Sequence, residues 1–262
     1  NMILDPFKLT DFKRLLSLQL APYSAVYYFE KLDSTNQYLL DHKTLGAGAI
    51  CIAQEQGQGR GQFGRPWISE SKENLYVSIL WEYQKPMELT LLPQYLALAV
   101  VSALGEYGFP VNLKWPNDIF MQGKKLAGLL IESVYADKVY VVAGLGLNIC
   151  MGTGGVDKIS QPWVDLQSCS SATIQNLTRS ELGSKVVSAM LFALKSFSSD
   201  SKGFINTWNQ HDLFYGKTVV WEKNGIQFQG LGKGLALNGG YSVFVDKQIK
   251  VITHSKLKLR LR

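Results

Sequence analysis

The sequence predicts an α+β protein that ends in a small β-barrel, and three observations carry that prediction. Apolar runs of strand length recur through the first two-thirds of the 262 residues, each closed by a turn or a helix start. The stretch Leu89 to Tyr107 is apolar on most faces, as a buried helix is. After Gly216 the pattern changes to short β runs separated by tight turns. The composition, 46% hydrophobic and 18% charged, is that of a globular chain rather than a disordered one. The length suits one large domain plus one small one. The boundary falls near Leu213 to Gly216, giving units 1–213 and 214–262.

In chain order, residues 7 to 20 are weakly amphipathic and read as a short helix, and Val26 to Glu30 as a strand. Asp33-Ser34-Thr35-Asn36-Gln37 starts a helix, with Ser34 and Gln37 at capping-box spacing. Such a start offers N–H groups and hydroxyls to a ligand, or merely caps the helix. Ala49 to Gln54 and Asn74 to Trp81 are strands, and Val111 to Trp115 is another, ended by the turn Pro116-Asn117-Asp118. Lys124 to Glu132 and Val139 to Leu147 are apolar strands linked by Tyr135-Ala136-Asp137-Lys138. Residues 178–198 and 203–210 read as helices. Thr218–Glu222, Ile226–Gly232, Tyr241–Val245 and Ile249–Ile252 then alternate with turns at Asn224-Gly225 and Gly239-Gly240. With the alternating Leu257, Leu259 and Leu261 beyond them, this density of short strands suggests a barrel.

Several function classes are excluded or demoted by composition. No signal peptide is visible, and no uncharged apolar run reaches the ~20 residues that span a membrane. Cys51, Cys150 and Cys169 show no paired-ligand spacing and read as reduced thiols, and His42, His211 and His254 are scattered. The cytoplasm is the expected compartment. The net charge of +6 is concentrated in a tail, Lys247 to Arg262, with six Lys/Arg and no acid. That tail could touch nucleic acid, but the alternating leucines favour a charge-blunted strand edge.

The stretch Gly57-Gln58-Gly59-Arg60-Gly61-Gln62-Phe63-Gly64-Arg65-Pro66-Trp67 holds four glycines, two arginines and a tryptophan, without an acid. Glycine lets the backbone approach a ligand closely, successive N–H groups form an anion site, and arginine suits phosphate or carboxylate oxygens. We read it as a loop that closes over an anionic small molecule, ordering as the ligand binds. Gly59-x-Gly61-x-x-Gly64 matches a dinucleotide-binding turn, but that motif needs a helix to start inside it, whereas a strand pattern follows here.

Three later pieces belong with this loop. Lys114-Trp115-Pro116-Asn117-Asp118 ends a strand with a cation, an amide and a carboxylate; Asp118 there can hold Mg²⁺, accept a proton, or cap the turn. Gly123-Lys124-Lys125-Leu126-Ala127-Gly128 sends a lysine into an apolar strand, where it needs an anion nearby or must reach back to water. Gly144-Leu145-Gly146-Leu147-Asn148 ends a strand with close-approach glycines and an amide, or marks a bulge.

In this order the pieces resemble the biotin protein ligases, over about residues 26 to 150. The resemblance implies a mixed β-sheet catalytic domain backed by helices, of class II synthetase-like (biotin–lipoate ligase) fold, followed by an SH3-like barrel. It implies that biotin and MgATP give biotinyl-5′-AMP, and that the acyl group then passes to a lysine of a biotin carboxyl carrier protein of a carboxylase such as acetyl-CoA carboxylase. It also implies site roles. Ser34, Thr35, Asn36, Gln56, Gly59, Arg60, Gly61, Gln62, Lys125, Gly128 and Gly144 would form the biotin site. Arg60, Arg65, Trp67, Lys114, Asn117, Lys125 and Asn148 would serve ATP. Lys125, Arg60 and Asp118 would be catalytic, with Asp118 near Mg²⁺.

Two departures from the family stand out. Too few residues precede the first strand for the N-terminal DNA-binding domain that some members carry, so a monofunctional ligase, monomer or homodimer, is expected. Gln62 stands where some members have arginine, so the adenylate is expected to be held less tightly. A lipoate or octanoyl ligase of the same fold, and a non-catalytic biotin or nucleic-acid binder, are the alternatives.

Overall fold

The computed structural model describes residues 7–69, 71–85, 87–152, 156–169, 177–198, 203–223, 225–253, 260 and 261. Asn224 of the expected hairpin turn, His254, and Leu257 and Leu259 of the basic tail lie outside them. Seven strands form one mixed sheet: β1 (Ala25–Leu32), β2 (Ala49–Gln56), β3 (Leu75–Tyr83), β4 (Val111–Lys114), β5 (Asp118–Met121), β6 (Lys124–Tyr135) and β7 (Val139–Leu147), in the order β1-β2-β3-β7-β6-β5-β4. β1 and β2 run parallel around the helix α2 (Thr35–Asp41), and every other neighbouring pair is antiparallel.

Antiparallel β2 and β3 flank the glycine loop, so the dinucleotide reading fails on topology. No α-helix starts in the loop, only a 3₁₀ turn at Gln62–Gly64. Asp118, expected within a turn, instead opens β5 opposite Lys114. The capping box is half formed. Ser34 Oγ accepts from Gln37 N at 3.3 Å, but the Gln37 amide turns away to Asp41.

Strand alternation puts the two faces of the sheet to different uses. Ile50, Ile52, Val77, Ile79, Val141, Ala143 and Leu145 join the main core, which α1 (Leu9–Leu18), α3 (Leu92–Gly105) and α4 (Arg179–Ser196) cover. On the other face Ala49, Cys51, Leu80 and Val142 form a small cluster with Leu39 of α2. Burial raises the Cys51 thiol to about 12, in keeping with a reduced apolar side chain.

After the short helix α5 (Ile205–His211), β8 (Thr218–Lys223), β9 (Ile226–Leu235), β10 (Tyr241–Val245), β11 (Gln248–Ile252) and β12 (Arg260–Leu261) form an antiparallel sheet in the order β11-β10-β9-β8-β12. The four bounded runs expected here are present as β8 to β11, and the short β12 pairs with β8. Their pairings leave β11 and β12 at opposite ends, and among the described residues no pairing closes them into the expected barrel.

This sheet is tied to the first one beside β4. Leu213 N donates to Leu113 O at 2.8 Å, and the buried Asp212 accepts Phe214 N and the Tyr241 hydroxyl at 3.0 and 2.5 Å. Trp115 Nε1 donates to Gly239 O at 3.0 Å, in the turn between β9 and β10. Burial raises Asp212 to about 6, although both hydrogen bonds and the Lys217 charge pull the other way. Because the folded state then holds the proton more tightly than the unfolded chain, this group makes stability fall as pH rises from about 4 to about 6. Asp212→Asn is expected to remove that slope, by up to about 3 kcal/mol across the window. Denaturant unfolding at several pH values measures it, and an unchanged slope would mean that Asp212 is not the titrating group.

Candidate functional site

The site begins with register. Tyr76 of β3 lies opposite Gly146 of β7, Gly146 opposite Gly128 of β6, Gly128 opposite Asp118 of β5, and Asp118 opposite Lys114 of β4. A second row runs Cys51, Ser78, Gly144, Leu130. Both rows lie on the face that carries α2. Glycine at three crossing points strips this part of the sheet of side chains and leaves a floor.

Trp67 occupies that floor. A Cβ on Gly146 would sit 2.4 Å from the indole Cε2 and Nε1, and one on Gly128 would sit 3.0 Å from Cζ3. Lys125 Nζ lies 5.1 Å from the indole centroid and 2.8 Å from Asp118 Oδ1. The lysine that enters an apolar strand thus finds its anion in Asp118. The indole N–H is buried and unpartnered among the described residues.

The glycine loop is a small hairpin. Trp67 N donates to Gly59 O at 2.8 Å and Gly61 N to Arg65 O at 2.7 Å. Phe63 at its tip takes φ 60°, and Arg65 lies over the Phe63 ring. Arg60 Nη2 reaches Glu132 Oε2 at 3.1 Å.

Beneath the loop runs a chain of polar contacts. Thr35 N and Oγ1 donate to Gln56 Oε1, and Gln56 Nε2 donates to Ser69 Oγ at 3.0 Å. Ser78 Oγ lies 2.7 Å from Thr35 Oγ1 and 2.6 Å from Asn36 Oδ1, while Asn36 Nδ2 donates to Leu130 O and to Glu132 at 2.8 Å.

Many of these groups line one cavity of about 560 Å³; Ser69, Ser78 and Glu132 stand behind its wall. Of the residues expected at the site, Ser34, Thr35, Asn36, Gln56, Arg60, Gly61, Gln62, Arg65, Trp67, Lys114, Asn117, Asp118, Lys125, Gly128, Gly144 and Asn148 all line it. Gly59 does not: it is buried under the hairpin, where a Cβ would meet Trp67 O at 2.4 Å and Ser69 Oγ at 2.8 Å. Its role is close packing of the loop base. Asn36 spends its amide on the protein, and Asn117 and Asn148 donate to Leu129 O and Val164 O, so each braces a wall as well as facing the cavity.

Two features escaped sequence reasoning. Glu132 is an acid in the second half of a strand, with no turn or glycine to mark it. Trp163 and the residues before it carry no motif, yet Lys125 N donates to Pro162 O, and Val164 N to Lys125 O. That segment extends the sheet past the end of β7 and walls the cavity. Among the described residues no group of three or more His, Cys, Asp or Glu could hold a metal.

A cationic, glycine-floored pocket on a helix-backed mixed sheet suits an anionic small molecule, and the family match makes it a ligase domain. The profile of the Biotin/lipoate A/B protein ligase family matches residues 28–148. The chain is 31% identical to the bifunctional ligase/repressor BirA of Escherichia coli, over 98% of this chain and 80% of that protein. It is 28% identical to a biotin–[acetyl-CoA-carboxylase] ligase of Paracoccus denitrificans, over 80% of this chain and 90% of that one. The structure of an Aquifex aeolicus biotin protein ligase in complex with biotin and ATP superposes with a TM-score of 0.78 at 30% identity, covering 92% of this chain and all of that one. The chain belongs to the biotin protein ligase family, and is an enzyme of the ligase class.

Gly146→Ala tests the floor. Overpacking against Trp67 should destabilise the protein by about 1–3 kcal/mol. In a Trp67→Ala background the same substitution should cost almost nothing. Equal costs in both backgrounds, read from unfolding midpoints, would mean that the indole does not occupy the glycine floor.

Proposed function

We propose that this protein activates biotin with MgATP to biotinyl-5′-AMP and transfers the biotinyl group to a lysine of a biotin carboxyl carrier domain. A carboxylate oxygen of biotin attacks the α-phosphorus of ATP, the bond to the β-phosphate breaks, and pyrophosphate leaves. The carrier lysine then attacks the acyl carbon, AMP leaves, and the amine gives up its proton.

The observation that carries this reading is the convergence of Arg60 and Lys125, from segments 65 residues apart, on one cavity beside an amide-rich recess. The first step brings two anions together, so fixed cations must meet the developing charge. Arg60 suits the biotin carboxylate and the adenylate phosphate, and Lys125 the carboxyl carbonyl and the α-phosphate. Ser34, Thr35 and Gln56 offer hydroxyl and amide groups for the ureido ring. Arg65, Trp67, Lys114, Asn117 and Asn148, which line the same cavity, would serve the nucleotide. Among the described residues, Asp118 is the one carboxylate on the cavity wall. It would hold Mg²⁺, whose coordination nucleotide phosphates and water commonly complete, and it would face the incoming amine. A mixed anhydride hydrolyses readily, so the hairpin over the cavity serves to exclude water.

Pyrophosphate release with MgATP is the decisive assay, run with biotin, lipoate and octanoate in turn. Biotin alone should support it. Release only with lipoate or octanoate would make this a ligase for another acid, and no release with any acid would leave a binding protein. Lys125→Ala should slow biotin-dependent release about 10²–10³-fold, or ~2.7–4 kcal/mol. A loss under tenfold would remove Lys125 from the chemistry. Gln62→Arg adds a charge-assisted partner for the phosphate and should slow adenylate release about tenfold or more. An unchanged release rate would mean that this position does not reach the phosphate.

A further inference from the structure

Glu132 sits on β6 opposite Val142, on the sheet face that carries α2. Its neighbours along that face of the strand are Leu130 and Gly128, so a carboxylate there needs a reason. Oε2 accepts Asn36 Nδ2 at 2.8 Å and Arg60 Nη2 at 3.1 Å. Asn36 is buried and is itself held by Leu130 O and Ser78. The carboxylate is therefore fixed from the sheet side and turned toward the loop.

Arg60 has five N–H donors in a rigid fork, and its ion pair with Glu132 uses Nη2. Its Nε is buried and unpartnered among the described residues. Burying a donor without an acceptor is unfavourable, and an oxygen of a ligand in the cavity that Arg60 lines would supply the missing partner. An arginine on a glycine hairpin would otherwise sample many rotamers and lose them on binding.

We infer that Glu132 is the positioning residue for Arg60: it clamps the guanidinium through Nη2, balances its charge before an anion arrives, and leaves Nε–H open for the anionic oxygens of the substrate acid or its adenylate. This rests on the acid-activating reading of the pocket. Glu132 makes no contact with substrate in this scheme and acts only through Arg60.

The test is a double-mutant cycle on biotin-dependent ATP–pyrophosphate exchange, with trypsin cleavage at Arg60–Gly61 as a second readout that needs no activity. Glu132→Ala should lower kcat/KM for biotin about 10–100-fold, the effect of a misplaced binding group. Glu132→Gln, which still offers an acceptor, should stay within about fivefold of the parent. In an Arg60→Ala background, Glu132→Ala should change exchange less than about twofold, since coupled residues are not additive. Trypsin should cut Arg60–Gly61 faster in ligand-free Glu132→Ala than in the parent. Should Glu132→Ala fail to fold, Glu132→Asp, which keeps the charge but shortens its reach, takes its place.

Additive losses in the cycle, or unchanged cleavage at Arg60–Gly61, would overturn the inference. If no acid supports exchange in the parent protein, the proposed function fails instead, and the cleavage rates alone decide whether Glu132 holds Arg60.

Discussion

Arg60 and Lys125, two of the cations that face the cavity, set the constraint on which the pocket depends. A lysine or arginine drawn out of water is unstable unless an anion accompanies it. The fold meets that demand twice, with Lys125 beside Asp118 and Arg60 beside Glu132. Both carboxylates come from strands of the same sheet, and both lie on the face with the glycine floor. The charges that would meet an anionic substrate are thus held in place by charges that a substrate can partly replace.

That arrangement has a geometric cost, which the glycines meet. An indole and an asparagine amide lie against the sheet only because Gly128, Gly144 and Gly146 carry no Cβ. A side chain at Gly144 would sit 2.2 Å from Asn36 Oδ1, which would break the contact that orients Glu132. The glycines are therefore spacing elements for protein side chains as much as openings for a ligand.

The second sheet bears on the same site from outside. Tyr241 and Gly239 contact Asp212 and Trp115, and Trp115 begins the turn that delivers Asn117 and Asp118. On the other side of that turn, Gln94 of α3 donates to Pro116 O at 3.2 Å. The turn is held between a core helix and the C-terminal sheet, so the carboxylate that pairs with Lys125 is positioned by residues far apart in the chain.

Much of this was legible in the chain itself. Strand and helix identities follow from local periodicity and turn chemistry, which act between near neighbours; most elements from α1 to β11 fall close to where the patterns put them, but β5 (Asp118–Met121), where a turn is expected, does not. The motif residues were legible too, because glycine clusters and a lysine in an apolar strand are chemically conspicuous. What only the tertiary structure decided is which groups meet. Arg60 and Glu132 are 72 residues apart, and nothing around Glu132 distinguishes it from a solvated strand acid. Gly59 looks like Gly61 in the sequence, yet one lies under the hairpin and the other faces the cavity. The wall around Trp163 carries no motif, because backbone pairing of Pro162 and Val164 with Lys125 ties it to β6. Local propensity is written residue by residue, whereas pairing between distant charges depends on sheet register, which the packing of the whole domain sets.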